Sequence, residues 1–219
     1  MRPHVRALVA EFARAVEFRE PIHEFGSYLV AGQESIADVR PLFPRGARFV
    51  GCDVRPGPGV DRVEDLRKLS LADRSIGSAL LLETLEHTAD PVRALREVAR
   101  VLDPRGVVLA TSCLDFKIHA YPEDYFRFTP GGIGVLLEPF AHRWVGFQGH
   151  PKFPHTVFGF ASHAPVALPA DFASRLERAC RVPIGAARRA AYWLGEKLLD
   201  RASFRVAREW NRLEFAPVA

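Results

Sequence analysis

The sequence lacks the features that mark a disulfide framework, a secreted chain or a membrane span. Its three cysteines, Cys52, Cys113 and Cys180, share no metal-ligand spacing, and their odd number argues against paired disulfides. No signal-peptide core is present, and no run approaches the roughly 18 apolar residues that a membrane span needs. We therefore expect a soluble cytoplasmic protein. Ligand spacing among the His and acidic residues is also missing, so we expect no resident metal ion.

The chain of 219 residues carries a formal net charge of +4, and this excess lies in one segment. Residues 171–219 contain ten Lys and Arg against six Asp and Glu, whereas residues 1–170 are balanced. A neutral domain offers no basic groove, so we expect no nucleic-acid partner. The basic segment has apolar residues at helical spacing, which predicts helices that pack on the domain, form a homodimer contact or lie on an anionic membrane.

Composition divides the chain into three parts. Residues 1–163 form the predicted domain, which begins with an amphipathic helix over about residues 4–18. Residues 164–170 are rich in Ala and Pro and form a linker, and residues 171–219 form a basic helical extension.

A strand, an acidic residue, a glycine turn and a helix follow one another near the start of the domain. The first predicted strand contains Glu24, the turn contains Gly26 and Ser27, and the helix covers about residues 33–42. Doubly wound sheets use this arrangement to present backbone N–H groups to an anionic ligand group. The next strand ends on Asp53, where an acid is placed to accept hydrogen bonds from both ribose hydroxyls of a nucleoside cofactor.

Strands and helices alternate along the rest of the domain. Further strands are predicted near residues 60–66, 76–83, 106–112, 142–149 and 155–162, and helices begin at Asp90-Pro91 and Thr129-Pro130. This alternation predicts an α/β fold with a largely parallel, doubly wound sheet, and the last two strands read as a hairpin at its edge.

The fourth predicted strand runs into Leu82-Glu83-Thr84-Leu85-Glu86-His87, and Asp90-Pro91 follows. This stretch resembles class I S-adenosylmethionine-dependent methyltransferases, in the branch that carries Glu-x-Leu-Glu-His and then Asp-Pro. Three more segments resemble the same branch: Asp65-Leu66 with residues 69–76, Val101-Leu102-Asp103-Pro104-Arg105-Gly106, and residues 121–132. The resemblance covers about residues 22–162. It implies a Rossmann-like, seven-stranded methyltransferase sheet with a C-terminal edge hairpin, followed here by the helical extension.

The resemblance implies S-adenosyl-L-methionine as cofactor, S-adenosyl-L-homocysteine as product, and roles for eight residues. These are Glu24, Gly26 and Ser27 in the turn under the methionine portion, Asp53 at the ribose hydroxyls, Val54, Asp65 and Leu66 at the adenine, and Glu83 near the methionine amino group. The family's usual turn is Gly-x-Gly-x-Gly, and this chain departs from it because Gly26 is followed by Ser27 and Tyr28.

Residues 114–128 follow the fifth predicted strand and are rich in aromatic and ionisable side chains, so we expect the methyl acceptor to bind there. An alcohol acceptor needs a base, and His119 and His87 are the candidates because imidazole titrates nearest neutrality. Asp124 would orient a histidine or bind a hydroxyl. Candidate acceptor ligands are Tyr121, Tyr125 and Arg127. Structural roles are the alternative: His87 would order its turn, and Arg127 would bridge to an acid.

The resulting prediction is a methyltransferase that acts on a small molecule, by O-methylation of a sugar or secondary metabolite. A non-catalytic protein that binds S-adenosylmethionine or S-adenosylhomocysteine is the main alternative, because the glycine turn is depleted. A nicotinamide-dependent oxidoreductase is disfavoured because Gly-x-Gly-x-x-Gly is missing. The balanced charge and the lack of Asn/Asp-Pro-Pro-Tyr disfavour an RNA or protein methyltransferase.

Overall fold

A computed structural model of the chain describes residues 1–119, 123–181 and 212–218. Within these ranges the elements are, in chain order, α1 (Pro3–Ala15), β1 (Ile22–Phe25), α2 (Glu34–Ala37), β2 (Phe49–Asp53), β3 (Arg62–Val63), β4 (Ile76–Leu82), α3 (Pro91–Val101), β5 (Leu102–Ser112), α4 (Pro130–Leu136), β6 (His142–His150), β7 (Phe153–Ser162), α5 (Phe172–Ala179) and β8 (Leu213–Pro217). Short 3₁₀ turns lie at Arg40–Leu42 and Leu85–His87.

The strands form one sheet in the order β3-β2-β1-β4-β5-β7-β6-β8. The first five strands of this order pair in parallel, and β5–β7, β7–β6 and β6–β8 pair antiparallel. The order reverses between β1 and β4, which makes the carboxyl ends of these strands the expected ligand position in a doubly wound sheet. The predicted α/β fold is confirmed, but the sheet has eight strands where seven were predicted.

Helices cover both faces of the sheet. One apolar cluster joins α3 and α4 to one face, and a second joins α1 and α5 to the other. All seven residues of β4 are buried, as the continuous apolar run of a two-sided parallel strand predicts. The predicted helix caps are also present: Asp90 accepts a hydrogen bond from the Arg93 N–H at 3.0 Å, and Thr129 accepts one from the Gly132 N–H at 3.0 Å.

The helix predicted over residues 33–42 is much shorter in the structure. It consists of one turn, α2, which buries no residue, and a separate 3₁₀ turn around Pro41. Proline cannot donate the backbone hydrogen bond that would continue α2, and short helices without a buried face gain little from packing. The turn after β1 therefore does not lead into a long helix.

The C-terminal extension is not entirely helical, because residues 213–217 form β8 against β6. The Phe215 ring lies 5.6–5.8 Å from the rings of Phe12, Phe158 and Phe172, so β8 covers the end of the second apolar cluster. The predicted β6–β7 hairpin is present, but β8 takes the edge position beside it. The helices predicted over residues 182–211, and the dimer or membrane contact through them, lie outside the described residues. In the described ranges no helix has the length and apolarity to cross a bilayer.

Candidate cofactor and active site

A cavity of about 920 Å³ opens at the carboxyl ends of β1, β2 and β4. All eight predicted cofactor residues line it: Glu24, Gly26, Ser27, Asp53, Val54, Asp65, Leu66 and Glu83. His87, His119 and Tyr125 line it as well, whereas Asp124 and Arg127 do not. Tyr121 lies outside the described residues. The sheet therefore brings the predicted cofactor residues and two candidate bases to one cavity.

The turn after β1 requires a glycine at Gly26. Its φ is +87°, and a Cβ at this position would lie 2.3 Å from Oγ1 of Thr84. The same Oγ1 donates to the Phe25 carbonyl at 2.9 Å, which holds the start of the loop after β4 against the end of β1. Gly26 thus permits the close approach of two strand ends at the floor of the cavity.

The backbone N–H groups of this turn are bonded within the protein, contrary to the prediction that they face an anionic ligand. Gly26 and Ser27 both donate to the carbonyl of Cys52, at 2.7 and 3.0 Å. The Tyr28 N–H donates to the Asp53 carboxylate at 3.4 Å. The turn has closed onto the end of β2, because neither a second glycine nor a long helix follows to lead the chain elsewhere.

Asp53 closes β2 with a carboxylate that is held on both sides. One oxygen accepts from the Tyr28 N–H and the other accepts from the Arg55 N–H at 3.0 Å. The Arg55 guanidinium lies 4.5 Å from the centroid of the Tyr28 ring, so this pair covers the acid from solvent. The side chain of Asp53 is 8% exposed while still lining the cavity. A fixed, partly desolvated carboxylate of this kind suits the recognition of neighbouring hydroxyls.

Glu24 lies in the interior of β1 and is buried. Burial raises the pKa of its carboxyl to about 8. At neutral pH the group is therefore mainly protonated and can donate a hydrogen bond into the cavity as well as accept one.

The part of the cavity wall after β2 and β3 combines a charged pair with apolar side chains. Asp65 pairs with Arg67 at 2.8 Å, and the hydrogen bond from Arg67 lowers the pKa of this carboxyl. Leu66 is buried, and Val54 is exposed at the end of β2. Together they give this end of the cavity an apolar surface beside a carboxylate, which fits a planar base with polar edges.

Glu83, directly after β4, has a φ of +54°, which is uncommon for a residue with a side chain. Its carboxylate forms a two-bond ion pair with Arg2: Nε donates to Oε2 at 2.9 Å and Nη2 to Oε1 at 3.1 Å. Thr111 Oγ1 also donates to Oε1, at 3.2 Å. Backbone strain of this kind persists where surrounding contacts fix it, and it is typical of ligand sites.

Glu86 of the Glu-x-Leu-Glu-His segment lies below the cavity and connects two parts of the site. Its carboxylate accepts from the Ser112 hydroxyl, and its carbonyl accepts from the Tyr125 N–H at 2.8 Å. Burial, followed by the nearby charge of Glu83, raises the pKa of Glu86. The segment thus ties the residues after β4 to β5 and to the predicted acceptor loop.

Arg127 fixes the shape of the predicted acceptor loop. Its guanidinium donates two hydrogen bonds to Asp124 and one each to the carbonyls of Phe116, Lys117 and Phe126, at 2.5–3.1 Å. A guanidinium has five N–H donors, and all five are used. Arg127 therefore forms a bridge to an acid, Asp124. This is the structural role that the sequence analysis gave as the alternative to acceptor binding.

Asp124 connects this clamp to His119. One of its oxygens lies 3.1 Å from Nδ1 of His119 and also accepts from the His119 N–H at 2.7 Å. The hydrogen bonds from Arg127 lower the pKa of Asp124, so its carboxylate is charged. His87 lies with its ring centroid 4.8 Å from that of His119, and its Nδ1 contacts the Glu123 carbonyl. Burial lowers the pKa of His87.

This geometry sets the tautomer of His119. A carboxylate oxygen and the Lys117 carbonyl, both near Nδ1, favour a proton on that nitrogen. Because His119 lines the cavity and Asp124 lies behind it, the pair has the arrangement of an oriented general base. No group of His, Cys, Asp and Glu in the described ranges has a metal-holding arrangement.

Sequence reasoning did not identify two residues of the site. Arg2 and Glu83 are 81 residues apart in the sequence, and no local motif predicts a contact between them. Thr84 lies inside the recognised motif, and its closeness to Gly26 follows from the adjacency of β1 and β4.

Comparison with known proteins finds a match to one family over part of the chain, and similarity in fold to solved structures. Residues 37–110 match the sequence model of a family described as a methyltransferase domain. A search of curated proteins found no match. The chain is similar in fold to a methyltransferase of Thermotoga maritima described as a possible histamine N-methyltransferase, with 19% identity, a TM-score of 0.51, and coverage of 74% of this chain and 89% of the other. It is also similar to the YcgJ protein of Bacillus subtilis, with 14% identity, a TM-score of 0.50, and coverage of 75% and 100%.

The sheet order and the cavity at its switch point agree with the class I methyltransferase fold, and residues 37–110 match a methyltransferase domain. The matched domain supports methyltransferase activity with S-adenosylmethionine as the cofactor.

Proposed function

We propose that this methyltransferase transfers a methyl group to a hydroxyl of a small molecule, with a sugar or a secondary metabolite as the acceptor class. The observation that carries the proposal is the His119–Asp124 pair at the cavity, because a hydroxyl is the acceptor that needs a base.

The cavity fits S-adenosylmethionine by the chemistry of its lining. In this proposal Asp53 binds the ribose hydroxyls, Val54, Asp65 and Leu66 surround the adenine, and the methionine portion lies over Gly26 and Ser27 beside Glu24 and Glu83. These four carboxyl groups in the cavity lining and an apolar wall support this arrangement. When bound, the cofactor supplies a methyl group on a positively charged sulfur, which needs no further activation.

His119 and Asp124 then act on the acceptor. Nε2 of His119 would accept the proton of the acceptor hydroxyl as the oxygen takes the methyl group from sulfur, with the sulfur–methyl bond broken and S-adenosylhomocysteine as the leaving group. Asp124 keeps the proton on Nδ1 and stabilises the charged imidazole that results. General bases of this kind contribute about 10²–10⁴ in rate, and positioning of the reacting groups contributes a further ~7–11 kcal/mol. His87 and Tyr125 border the acceptor.

The acceptor end of the cavity favours a compact molecule with a ring. Phe116 and Tyr125 are partly exposed there, and Lys117 lies between Phe116 and His119 in the chain. Exposed aromatic rings bind the flat faces of sugars and of other rings, and the lysine adds a positive charge. These features support a small molecule over a polymer.

The first test is calorimetric titration with S-adenosylhomocysteine of the wild-type protein and of Asp53→Ala. We expect micromolar binding that is lost in the variant. Asp73→Ala, an exposed aspartate that does not line the cavity, serves as the control and should bind as wild type. Binding would be followed by a screen of hydroxylated acceptors. Absence of binding to folded wild-type protein, or methylation of amines but not of hydroxyls, would contradict the proposal.

A further inference from the structure

We infer that Arg2 and Glu83 together form the seat of the cofactor's methionine zwitterion, with Arg2 binding the α-carboxylate and Glu83 the α-ammonium. This inference rests on the cofactor arrangement proposed above and assigns Arg2 as a binding residue of that site.

The first support is the lack of another donor for the carboxylate at the turn after β1. The Gly26 and Ser27 N–H groups are bonded to Cys52, and the N–H groups of Tyr28 and Leu29 are bonded to Asp53 and to the Pro58 carbonyl. Four successive backbone donors are thus used within the protein. A carboxylate in the cavity then needs a donor from outside the turn, and Arg2 lines the same cavity.

The second support is the hydrogen-bonding capacity that the pair retains. Arg2 donates two bonds to Glu83 and one from Nη1 to the His155 carbonyl, at 2.6 Å. Of its five N–H groups, two make no hydrogen bond within the described part of the chain. Glu83 accepts from Arg2 twice and from Thr111 once, and a carboxylate has about four acceptor sites. Arg2 can therefore donate two more hydrogen bonds, and Glu83 can accept about one more.

The third support is charge and rigidity. A zwitterion presents one positive and one negative group on the same carbon, which matches an Arg–Glu pair with both groups side by side. The side chains of Arg2 and Glu83 are each 16% exposed, so the pair is mostly protected from solvent but remains accessible to a ligand. Arg2 is held by His155, and α1, which follows it, packs Val5 and Leu8 into the core. The guanidinium is therefore positioned before any ligand arrives.

The experiment compares two ligands on the full chain by calorimetry. S-adenosylhomocysteine carries the amino-acid portion, whereas 5′-methylthioadenosine lacks it. We expect Arg2→Ala to weaken S-adenosylhomocysteine at least tenfold and to leave 5′-methylthioadenosine within about twofold of wild type. Arg2→Lys should restore part of the loss, since it keeps the charge but not the planar fork. Arg14→Ala, on the outer face of the same helix, is the matched control and should change neither affinity.

Three outcomes would overturn the inference. Unchanged or tighter S-adenosylhomocysteine binding in Arg2→Ala would show that Arg2 does not hold the carboxylate and instead competes for Glu83. Equal losses of affinity for both ligands would show that Arg2 supports the structure of the cavity and does not bind the amino-acid portion of the cofactor. Failure of folded wild-type protein to bind either ligand would refute the cofactor site itself, and this result is distinct from the other two.

Discussion

The carboxylate of Glu86 accepts a hydrogen bond of 2.7 Å from the hydroxyl of Ser112, and both residues are fully buried. This contact joins the Glu-x-Leu-Glu-His segment to the end of β5. It also places an ionisable group in the interior beside Glu83, and the raised pKa of Glu86 follows from that burial. The recognised motif is therefore a structural support for the cavity as well as a part of its wall.

The first prediction concerns the pH dependence of stability. Between the ordinary Glu value of 4.5 and its raised pKa, the folded state holds a proton on Glu86 that the unfolded state has released. The free energy of unfolding should therefore fall as pH rises through this range, by up to about 1.4 kcal/mol per pH unit for one such group. Glu86→Gln should reduce this slope. Urea unfolding between pH 5 and pH 8 measures it, with the exposed Glu138→Gln as control, and an unchanged slope in Glu86→Gln would contradict the assignment.

The second prediction concerns the general base. With an acceptor in hand, His119→Ala should lower kcat by about 10²–10⁴, because no base then accepts the proton of the acceptor hydroxyl. Cofactor affinity should stay within about twofold, which calorimetry can check. His142→Ala, at the start of β6 and outside the cavity lining, is the matched control. Wild-type turnover in His119→Ala would exclude His119 as the base.

The third prediction concerns the turn after β1. Gly26→Ala should destabilise the protein by at least about 1–2 kcal/mol, the cost of placing a side chain at positive φ, and the contact with Thr84 adds to it. Loss of S-adenosylhomocysteine binding should accompany it. Gly131→Ala is the matched control because its Cβ would meet no atom closer than 3.9 Å, and alanine favours the helix there. Equal unfolding midpoints for Gly26→Ala and wild type would refute this account of the turn.

The fourth prediction concerns β8. Phe215→Ala should cost about 2–3 kcal/mol of unfolding free energy, because Phe215 contacts Phe12, Phe158 and Phe172 at the end of an apolar cluster. Glu214→Ala, on the exposed side of the same strand, should change stability by less than about 0.5 kcal/mol. Chemical denaturation gives both values, and similar losses for the two variants would indicate that β8 acts through strand pairing alone.

The sequence predicted those parts of the fold whose signal is local. The apolar run of β4, the Asp90 cap of α3 and the acid that ends β2 each follow from a short pattern, and the structure contains all three. The predicted cofactor residues lie together because parallel strands end at one edge. Their assigned roles remain predictions.

The remaining features depend on contacts between distant segments. The spacing of residues 33–42 suits a helix, but α2 is a single turn that buries no residue, and the proline at position 41 prevents its continuation. Residues 213–217 follow a segment with helical spacing, so the sequence did not predict a strand there, and pairing with β6 fixes their conformation. Arg2 becomes a site residue through the packing of α1 on the sheet, which no pattern near the start of the chain encodes.

The position of β8 also has a consequence during synthesis. Strands β1 to β7 can pair once residue 162 has left the ribosome, but residues 213–217, which pair with the outer side of β6 in the described part of the chain, arrive only later. An open strand edge is a template for pairing with another chain. A nascent or truncated chain that ends within residues 163–212 should therefore associate with its own copies, and β8 acts as the cover that prevents this in the finished protein.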